Sequence, residues 1–159
     1  MNTLVVYDSQ FGNTQRLANA IAQTLREYGA ARAVSVNQPE STKLEGVDML
    51  ILGCPTQGWR PTPAIASLLE NIATESWRDL KIACFDTRFH KPRWLTGSAA
   101  VRMAHALQLM GIAPIMPPES FFVTESHGPL ASGEEARAVR WAQQLHEKVA
   151  ESHTLLLAR

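Results

Sequence analysis

The sequence has no excess of charge of either sign. Fifteen Lys and Arg side chains balance fifteen Asp and Glu side chains over 159 residues. Neutrality removes the overall attraction that draws strongly basic proteins to nucleic acid or to anionic membranes, although a local patch can still attract a partner. Functional predictions therefore depend on local features of the chain, and we expect neither a nucleic-acid partner nor a membrane partner.

Cysteine is scarce, and long apolar runs are missing. Cys54 and Cys84 are the only two thiols, and their spacing is not that of a metal site, so we expect two buried packing residues. The five histidines show no metal-site spacing with carboxylates or thiols, which predicts no metal. No apolar run reaches membrane-spanning length, and no secretory leader precedes the first strand-like run. We therefore expect a cytoplasmic protein.

Short apolar runs alternate along the chain with longer segments of helical period. This alternation predicts an α/β fold of three layers, in which helices cover both faces of a parallel sheet. No repeat or linker interrupts the pattern, and the length suits one core, so residues 1–159 are predicted to form a single domain. Five strands are predicted, at residues 3–7, 31–36, 48–53, 82–86 and 112–116, the last extending toward 121–123.

The loop after the first strand has the composition of an anion site. Ser9, Asn13 and Thr14 offer hydroxyl and amide groups just before a periodic helix, whose first N–H groups lack partners within the helix. Gly12 permits a close backbone approach. The loop has neither the lysine of a nucleotide-triphosphate cradle nor three glycines, so a monophosphate suits it better. The alternative is an ordinary helix cap with polar neighbours.

Two further loops follow the third and fourth strands. In one, Trp59 adjoins Gly58 among three prolines; in the other, residues 86–94 supply aromatic rings and hydrogen-bonding groups. Ligands of open α/β sheets bind at the carboxyl ends of the strands. A flat aromatic heterocycle between these loops would find stacking partners and polar edges.

These loops resemble those of the flavodoxin family. Residues 9–14, Ser-Gln-Phe-Gly-Asn-Thr, resemble its phosphate loop, and residues 53–56, Gly-Cys-Pro-Thr, resemble the start of its second flavin-contacting loop. The resemblance implies a doubly wound sheet of order 2-1-3-4-5 and noncovalent FMN. The implied cofactor contacts are Ser9, Gln10, Phe11, Gly12, Asn13, Thr14, Pro55, Thr56, Gln57, Gly58, Trp59, Arg60, Asp86, Thr87, Arg88, Phe89 and Trp94.

The resemblance also implies roles within the second loop. The peptide between Gln57 and Gly58 matches the one that turns over in flavodoxins when the flavin takes up an electron, with the glycine as the hinge. Trp59 is then predicted to lie against one face of the flavin ring, where an electron-rich indole disfavours added negative charge. The alternative for Trp59 is ordinary packing within the loop.

The third loop departs from the family pattern. Flavodoxins are typically acidic, whereas this loop carries Arg88, His90, Lys91 and Arg93. Nearby cations favour an anionic reduced flavin, which predicts a less negative potential for the second electron than acidic flavodoxins have. The alternative is that these charges are solvated or pair with nearby acids.

The first functional prediction is an electron carrier of the flavodoxin type, a neutral and atypical member, serving a redox partner protein or a small organic acceptor as a monomer or weak homodimer. The second is a small FMN-dependent NAD(P)H:quinone or related oxidoreductase, in which the basic loop would hold an anionic substrate. Whether the chain is an enzyme stays open between these two. A phosphorelay receiver is a distant third, since only Asp8 and Asp86 approximate its clustered acids.

Overall fold

The computed structural model describes residues 1–72 and 80–157. A parallel five-stranded sheet of order β2-β1-β3-β4-β5 forms its centre, as the resemblance implied. The strands are β1 (Asn2–Tyr7), β2 (Ala30–Ser35), β3 (Met49–Pro55), β4 (Lys81–Phe89) and β5 (Glu119–Val123); the helices are α1 (Asn13–Leu25), α2 (Pro63–Ile72), α3 (Arg93–Thr96), α4 (Ala99–Leu109) and α5 (Glu134–Leu157), with a 3-10 turn at Pro39–Thr42.

Each face of the sheet carries its own hydrophobic core. Leu50 and Leu52 point to the face covered by α2 and α4, whereas Ile51 and Phe85 point to the face covered by α1 and α5. Consecutive residues of β3 are thus buried on opposite sides, as expected for a parallel strand between helices. Because both faces of these strands are buried, the strands occur in the sequence as nearly continuous apolar runs.

The predicted fifth strand is wrong over residues 112–116. The strand β5 begins only at Glu119, and Ile115 makes one hydrogen bond, from its N–H to the carbonyl of Ile82 (2.9 Å), beside the start of β4. Pro114, Pro117 and Pro118 have no N–H to donate and so interrupt a ladder here. The apolar side chains of this run are partly buried against the two cores, but the run is not a strand.

The fourth strand is longer than predicted, and its extension shifts the third loop. It continues to Phe89 and pairs with β5 over Phe85–Phe89. The three residues that were expected to open a loop, Asp86, Thr87 and Arg88, are therefore strand residues. What remains of the loop is short and includes the helix α3, which the sequence pattern did not predict.

The helical spacing of apolar residues in the sequence predicts one buried stripe on each of four helices. The predicted stripes are Leu17, Ile21, Leu25 and Tyr28; Ile65, Leu68, Leu69 and Ile72; Ala100, Met103, Ala104, Leu107 and Met110; and Ala138, Trp141, Ala142, Leu145 and Val149. These stripes are largely confirmed, with differences at their ends. Leu17, Ile21 and Leu25 are buried on α1, but the helix ends there, and Tyr28 lies outside it, stacked on His146 with ring centroids 3.9 Å apart. Met110 likewise follows α4 and is partly exposed. The side chain of Ile72, predicted to belong to the stripe of α2, lies outside the described residues.

Parallel pairing brings four connections to one edge of the sheet. The chain leaves β1, β3, β4 and β5 at the same edge, and the first three lead into α1, α2 and α3. Loops far apart in sequence therefore meet there.

Gly53 is required by the packing between β3 and β4. A Cβ atom built on Gly53 would lie 2.1 Å from the ring of Phe85, which also contacts Phe121 and Trp141 edge-on. We expect Gly53→Ala to lower the free energy of unfolding by about 2 kcal/mol, because a tightly packed ring must move. Urea denaturation measures the change. Gly53→Ala combined with Phe85→Leu should lose less than the sum of the two single substitutions; strict additivity would contradict this contact.

Candidate functional site

A cavity of about 520 Å³ opens at the carboxyl edge of the sheet, a volume that suits a cofactor. The loops after β1, β3, β4 and β5 all contribute to its wall. Its lining residues are Ser9, Gln10, Phe11, Asn13, Thr14, Pro55, Thr56, Gln57, Gly58, Trp59, Thr87, Arg88, Phe89, Lys91, Leu95, Thr96, Val123 and Ser126.

The loop after β1, which lines the cavity, is closed by hydrogen bonds to the hydroxyl of Ser9. The Ser9 hydroxyl accepts hydrogen bonds from the N–H groups of Gly12 (3.1 Å) and Gln15 (3.3 Å). Gly12 precedes α1 with a φ of 88°, a conformation that favours glycine. It supplies no capping side chain, and the first turn of α1 holds no acid. The positive end of the helix dipole is therefore not neutralised from within the helix.

The helix α4 provides a contrast within the same molecule. Ser98 caps it by accepting a hydrogen bond from the N–H of Val101 (3.3 Å), and the carboxylate of Asp86 accepts another from the N–H of Ala100 (3.0 Å). Both partners are side chains of the protein, and one of them is anionic. The first turn of α1 instead has the neutral Ser9 hydroxyl as its side-chain partner and holds no acid, so of these two helix N-termini α1 is the one suited to an external anion.

A tight turn forms the wall of the cavity after β3. Gln57 and Arg60 exchange two backbone hydrogen bonds of 3.0 Å, and the residues between them, Gly58 and Trp59, have φ angles of 52° and 67°. Two successive positive φ angles define a turn of type I′. Because the Gln57 carbonyl accepts from Arg60, turning over of the Gln57–Gly58 peptide, which stays a prediction, would break that hydrogen bond.

Trp59 is held in its strained backbone conformation by contacts with α3. Its indole N–H donates to the carbonyl of Leu95 (2.7 Å), and its Cβ lies so close to Gly97 that a side chain there would approach it to 2.5 Å. A positive φ costs a non-glycine residue about 1 kcal/mol or more. The indole, half exposed at the cavity, thereby ties the loop after β3 to the chain after β4.

Asp86 joins three parts of the site below the cavity. One oxygen of its fully buried carboxylate accepts hydrogen bonds from the hydroxyls of Ser98 (2.6 Å) and Thr56 (3.0 Å) and from the N–H of Ala100. Thr56 in turn accepts from the N–H of Ala99 (2.8 Å). The loop after β3 and the start of α4 are therefore fixed to β4 through one carboxylate.

Arg88 places a cation in the cavity wall. Its guanidinium donates to Ser120, Phe89, Lys91 and Thr96 and lies 5.2 Å from the centre of the Phe122 ring. Burial lowers the pKa of Arg88, Asp86 opposes this shift, and Arg93 adds to it. The hydrogen bonds hold the short turn after β4 in place. No carboxylate in residues 1–72 and 80–157 forms an ion pair with Arg88.

The cations of this edge do not pair with acids. Arg60, Lys91 and Arg93 are exposed and belong to none of the ion pairs found in the described part of the chain. Of the two alternatives for the basic loop, pairing with nearby acids therefore has no support here.

The two thiols are buried and free. Burial raises the pKa of Cys54 to about 12 and also raises the pKa of Cys84. Neutral thiols of this kind are poor nucleophiles, which agrees with the predicted packing role.

Within the ranges that the structure describes, no group of three His, Cys, Asp or Glu side chains could hold a metal. In the same ranges, no helix is long and apolar enough to cross a membrane.

Thirteen of the seventeen predicted contact residues line the cavity, and four do not. Gly12 shapes the first loop from behind, Asp86 lies beneath the wall, Arg60 is at the outer end of the turn, and Trp94 is 80% exposed on α3. Leu95, Thr96, Val123 and Ser126 also line the cavity, although the sequence offered no local signal for them; they lie on α3, at the end of β5 and in the chain after it. Lys91 of the basic third loop lines the cavity as well, although it was not among the seventeen contacts.

Comparison with known families agrees with this geometry. The flavodoxin family model matches residues 5–85, slightly more than half of the chain and two of the loops that form the cavity. The chain belongs to the flavodoxin family. Membership confirms the resemblance found in the loop sequences and the predicted class of protein, an FMN-binding electron carrier. It gives no support to the alternative NAD(P)H:quinone oxidoreductase.

Solved structures share the fold at low sequence identity. Flavodoxin 1 from Bacillus cereus is 20% identical with a TM-score of 0.76, over 92% of this chain and 98% of its own. A flavodoxin from the domain Archaea is 19% identical with a TM-score of 0.76, over 94% and 99%. The rubredoxin oxygen:oxidoreductase from Desulfovibrio gigas is 18% identical with a TM-score of 0.73, over 94% of this chain but only 37% of its own.

Asp86 should contribute strongly to stability. We expect Asp86→Ala to lower the free energy of unfolding by about 3 kcal/mol, because two hydroxyls and one N–H lose their buried acceptor. Asp86→Asn, which keeps one acceptor oxygen, should cost less. Asp8→Ala is the matched control, since Asp8 is an acid directly after the inner strand β1 but is partly exposed. Equal losses for Asp86→Ala and Asp8→Ala in urea denaturation would contradict the role assigned to Asp86.

Proposed function

We propose that the cavity at the carboxyl edge binds one FMN through the residues that line it, and that residues 1–159 act as a single-domain, monomeric electron carrier in the cytoplasm. The observation that carries this proposal is the position of the N-terminus of α1, which has no acid in its first turn and lies at a cavity that aromatic side chains also line. An anionic tail and a flat ring system are the two parts of FMN, and the cavity offers one end for each.

The phosphate is assigned to the loop after β1. Ser9, Asn13 and Thr14 lie in the cavity wall beside the first turn of α1, where backbone N–H groups and the helix dipole favour an anion. The side chain of Asn13 also donates to the carbonyl of His127 (3.3 Å). This bond orients the amide and joins the phosphate loop to the chain after β5.

The ring is assigned to the space between Trp59 and the end of β4. Trp59, Phe89 and Leu95 provide apolar surface there, and Thr87 provides a polar edge. Bound FMN would supply one-electron and two-electron chemistry. The side chains of the protein bind and orient it, exclude water from part of the ring, and set the local charge.

Asn13→Asp tests the phosphate assignment. A carboxylate in this loop repels the phosphate, so we expect the dissociation constant for FMN to rise about tenfold or more, whereas riboflavin, which lacks the phosphate, should bind almost as before. Fluorescence quenching on titration measures both constants. In the flavin-free variant, the gain from an acid in the first turn of the helix opposes the loss of the hydrogen bond to His127, so the thermal unfolding temperature should change little.

Two results would contradict the assignment. The first is a purified protein that is colourless and refuses added FMN, which would remove the cofactor altogether. The second is an equal loss of affinity for FMN and riboflavin in Asn13→Asp, which would place the phosphate elsewhere.

Two cations that line the cavity, Arg88 and Lys91, form what we call the basic rim. The basic rim should raise the reduction potential for the second electron, because each cation stabilises the negative charge of a fully reduced flavin. We expect a redox titration to give a less negative potential than acidic flavodoxins have. Lys91→Glu should lower it by about 60 mV, which corresponds to a tenfold loss of affinity for one electron.

Lys43→Glu is the control for this substitution. Lys43 is exposed and lies on the connection between β2 and β3, where it pairs with Glu40 (3.8 Å). Lys43→Glu changes the net charge by the same amount as Lys91→Glu, but it should leave the reduction potential of the flavin almost unchanged. A very low potential for the second electron in the unmodified protein, or equal effects of the two substitutions, would count against the basic rim.

A further inference from the structure

The charges of this neutral chain are unevenly distributed. No Asp or Glu occurs in residues 49–69 or in residues 87–118, whereas these stretches hold Arg60, Arg88, Lys91, Arg93 and Arg102. The two stretches include β3, most of α2, the end of β4, the loops after β3 and β4, and the helices α3 and α4. The acids that balance these cations belong to other segments of the sequence. A neutral net charge is therefore compatible with a local basic region at one side of the cavity.

This region also exposes large apolar side chains. Trp94 is 80% exposed, Trp59 52% and Leu95 47%. A shallow cleft lies between the two tryptophans and the side chains of Arg93 and Arg102. We call the exposed surface of Trp59, Arg60, Arg93, Trp94 and Arg102 the basic face. Tryptophan and arginine are the residue types most enriched among energetically important interface residues.

The basic face adjoins the cavity directly. Trp59 lines both the cavity and the cleft, and Leu95 lines the cavity from the helix that carries Arg93 and Trp94. A molecule seated on this face would lie beside the cavity mouth. Trp59 is also fixed there by its hydrogen bond to Leu95, so its indole is presented without a loss of loop entropy on binding.

The arrangement of the cations indicates the kind of partner. Arg60, Arg93 and Arg102 are exposed and come from three separate elements, a turn, α3 and α4. Cations dispersed around exposed indoles match a broad acidic surface with an apolar centre, whereas a small anion is bound by groups that converge on one point.

We propose that the basic face is the docking surface for an acidic redox protein, which exchanges electrons with the flavin beside it. This inference rests on the proposed function, because it assumes FMN in the adjoining cavity. It concerns the sign of the partner's charge and the side from which the partner approaches.

The first experiment measures the local charge beside the flavin. The protein is loaded with FMN, its flavin content is checked by absorbance, and it is reduced with dithionite. Ferricyanide then reoxidises it in a stopped-flow instrument, two ions being reduced for each fully reduced flavin. The polypeptide is formally neutral, and bound reduced FMN adds the negative charges of its phosphate and ring, so a uniform charge distribution gives a ferricyanide rate that rises with salt. We expect the rate instead to fall with salt, and hexaammineruthenium(III), a cation, to show the opposite trend.

Charge reversal locates the effect. Arg93→Glu with Arg102→Glu should lower the ferricyanide rate at low salt about tenfold and reverse its salt dependence. The control, Arg140→Glu with Lys148→Glu, changes net charge equally on α5, which covers the opposite face of the sheet. It should leave the salt dependence in place. A flat salt dependence in the loaded, unmodified protein, or equal effects of the two variants, would overturn the proposal.

The second experiment measures docking itself, without electron transfer. A small acidic plant-type ferredoxin and a basic c-type cytochrome are added separately to the oxidised, FMN-loaded protein, and amide NMR shifts are followed. We expect the ferredoxin to shift residues of the basic face, with shifts that vanish at high salt and in Arg93→Glu with Arg102→Glu. Preferential shifts with the cytochrome would overturn the proposal, as would saturation of this face by NADPH with none by the ferredoxin.

Failure of FMN binding and failure of docking on the basic face give different experimental results. A protein without flavin absorbance after loading would contradict the proposed function. A flavin-loaded protein whose basic face ignores the acidic probe would contradict the docking surface alone.

Discussion

A single buried carboxylate fixes the geometry on which the site depends. Asp86 lies on a central strand and accepts hydrogen bonds from the loop after β3 and from the start of α4. A buried carboxylate is costly unless donors surround it, so these donors are held where the carboxylate needs them. Thr56 and Ser98, separated by 42 residues of chain, therefore come to one point. This interaction therefore fixes the position of the loop after β3 relative to the connection between β4 and α4.

The site thus combines a rigid floor with strained and exposed walls. Strands buried on both faces provide the floor, and hydrogen bonds that Asp86 accepts and Arg88 donates tie the wall to it. Trp59 accepts an unfavourable backbone conformation because its indole is bonded to α3. Strain that persists at a ligand site is often maintained by such surrounding contacts. The same contacts place an aromatic ring at the border between the cavity and the basic face.

Much of the fold could be predicted from the sequence, because its signals are local. Apolar runs of strand length and helical stripes such as Leu17, Ile21 and Leu25 depend on a few neighbouring residues. The phosphate loop is equally local, since Gly12 and its polar neighbours stand directly before a helix. Four of the lining residues that were missed lie on α3, at the end of β5 and in the chain after it, which meet the cavity only through tertiary structure.

The errors at the end of β4 and in β5 have the same cause. Asp86 looked like the first residue of a loop because a carboxylate rarely lies inside a buried strand, and the donors that make this possible lie 12 to 30 residues away. Residues 112–116 looked like a strand because they are apolar, although prolines prevent a ladder. A local sequence pattern predicts well which residues are buried, but it does not predict which long-range hydrogen bonds compensate a buried charge.

The most direct test of the central claim is the amide NMR spectrum of the chain recorded before and after addition of one equivalent of FMN. If FMN lies in the cavity, the largest shifts occur in residues 9–14, 56–60 and 87–96, and residues such as Asn2, Met49 and Lys81 at the opposite edge of the sheet stay unchanged. Shifts centred on that opposite edge, or no shifts at all, would contradict the assignment of the cavity as the flavin site.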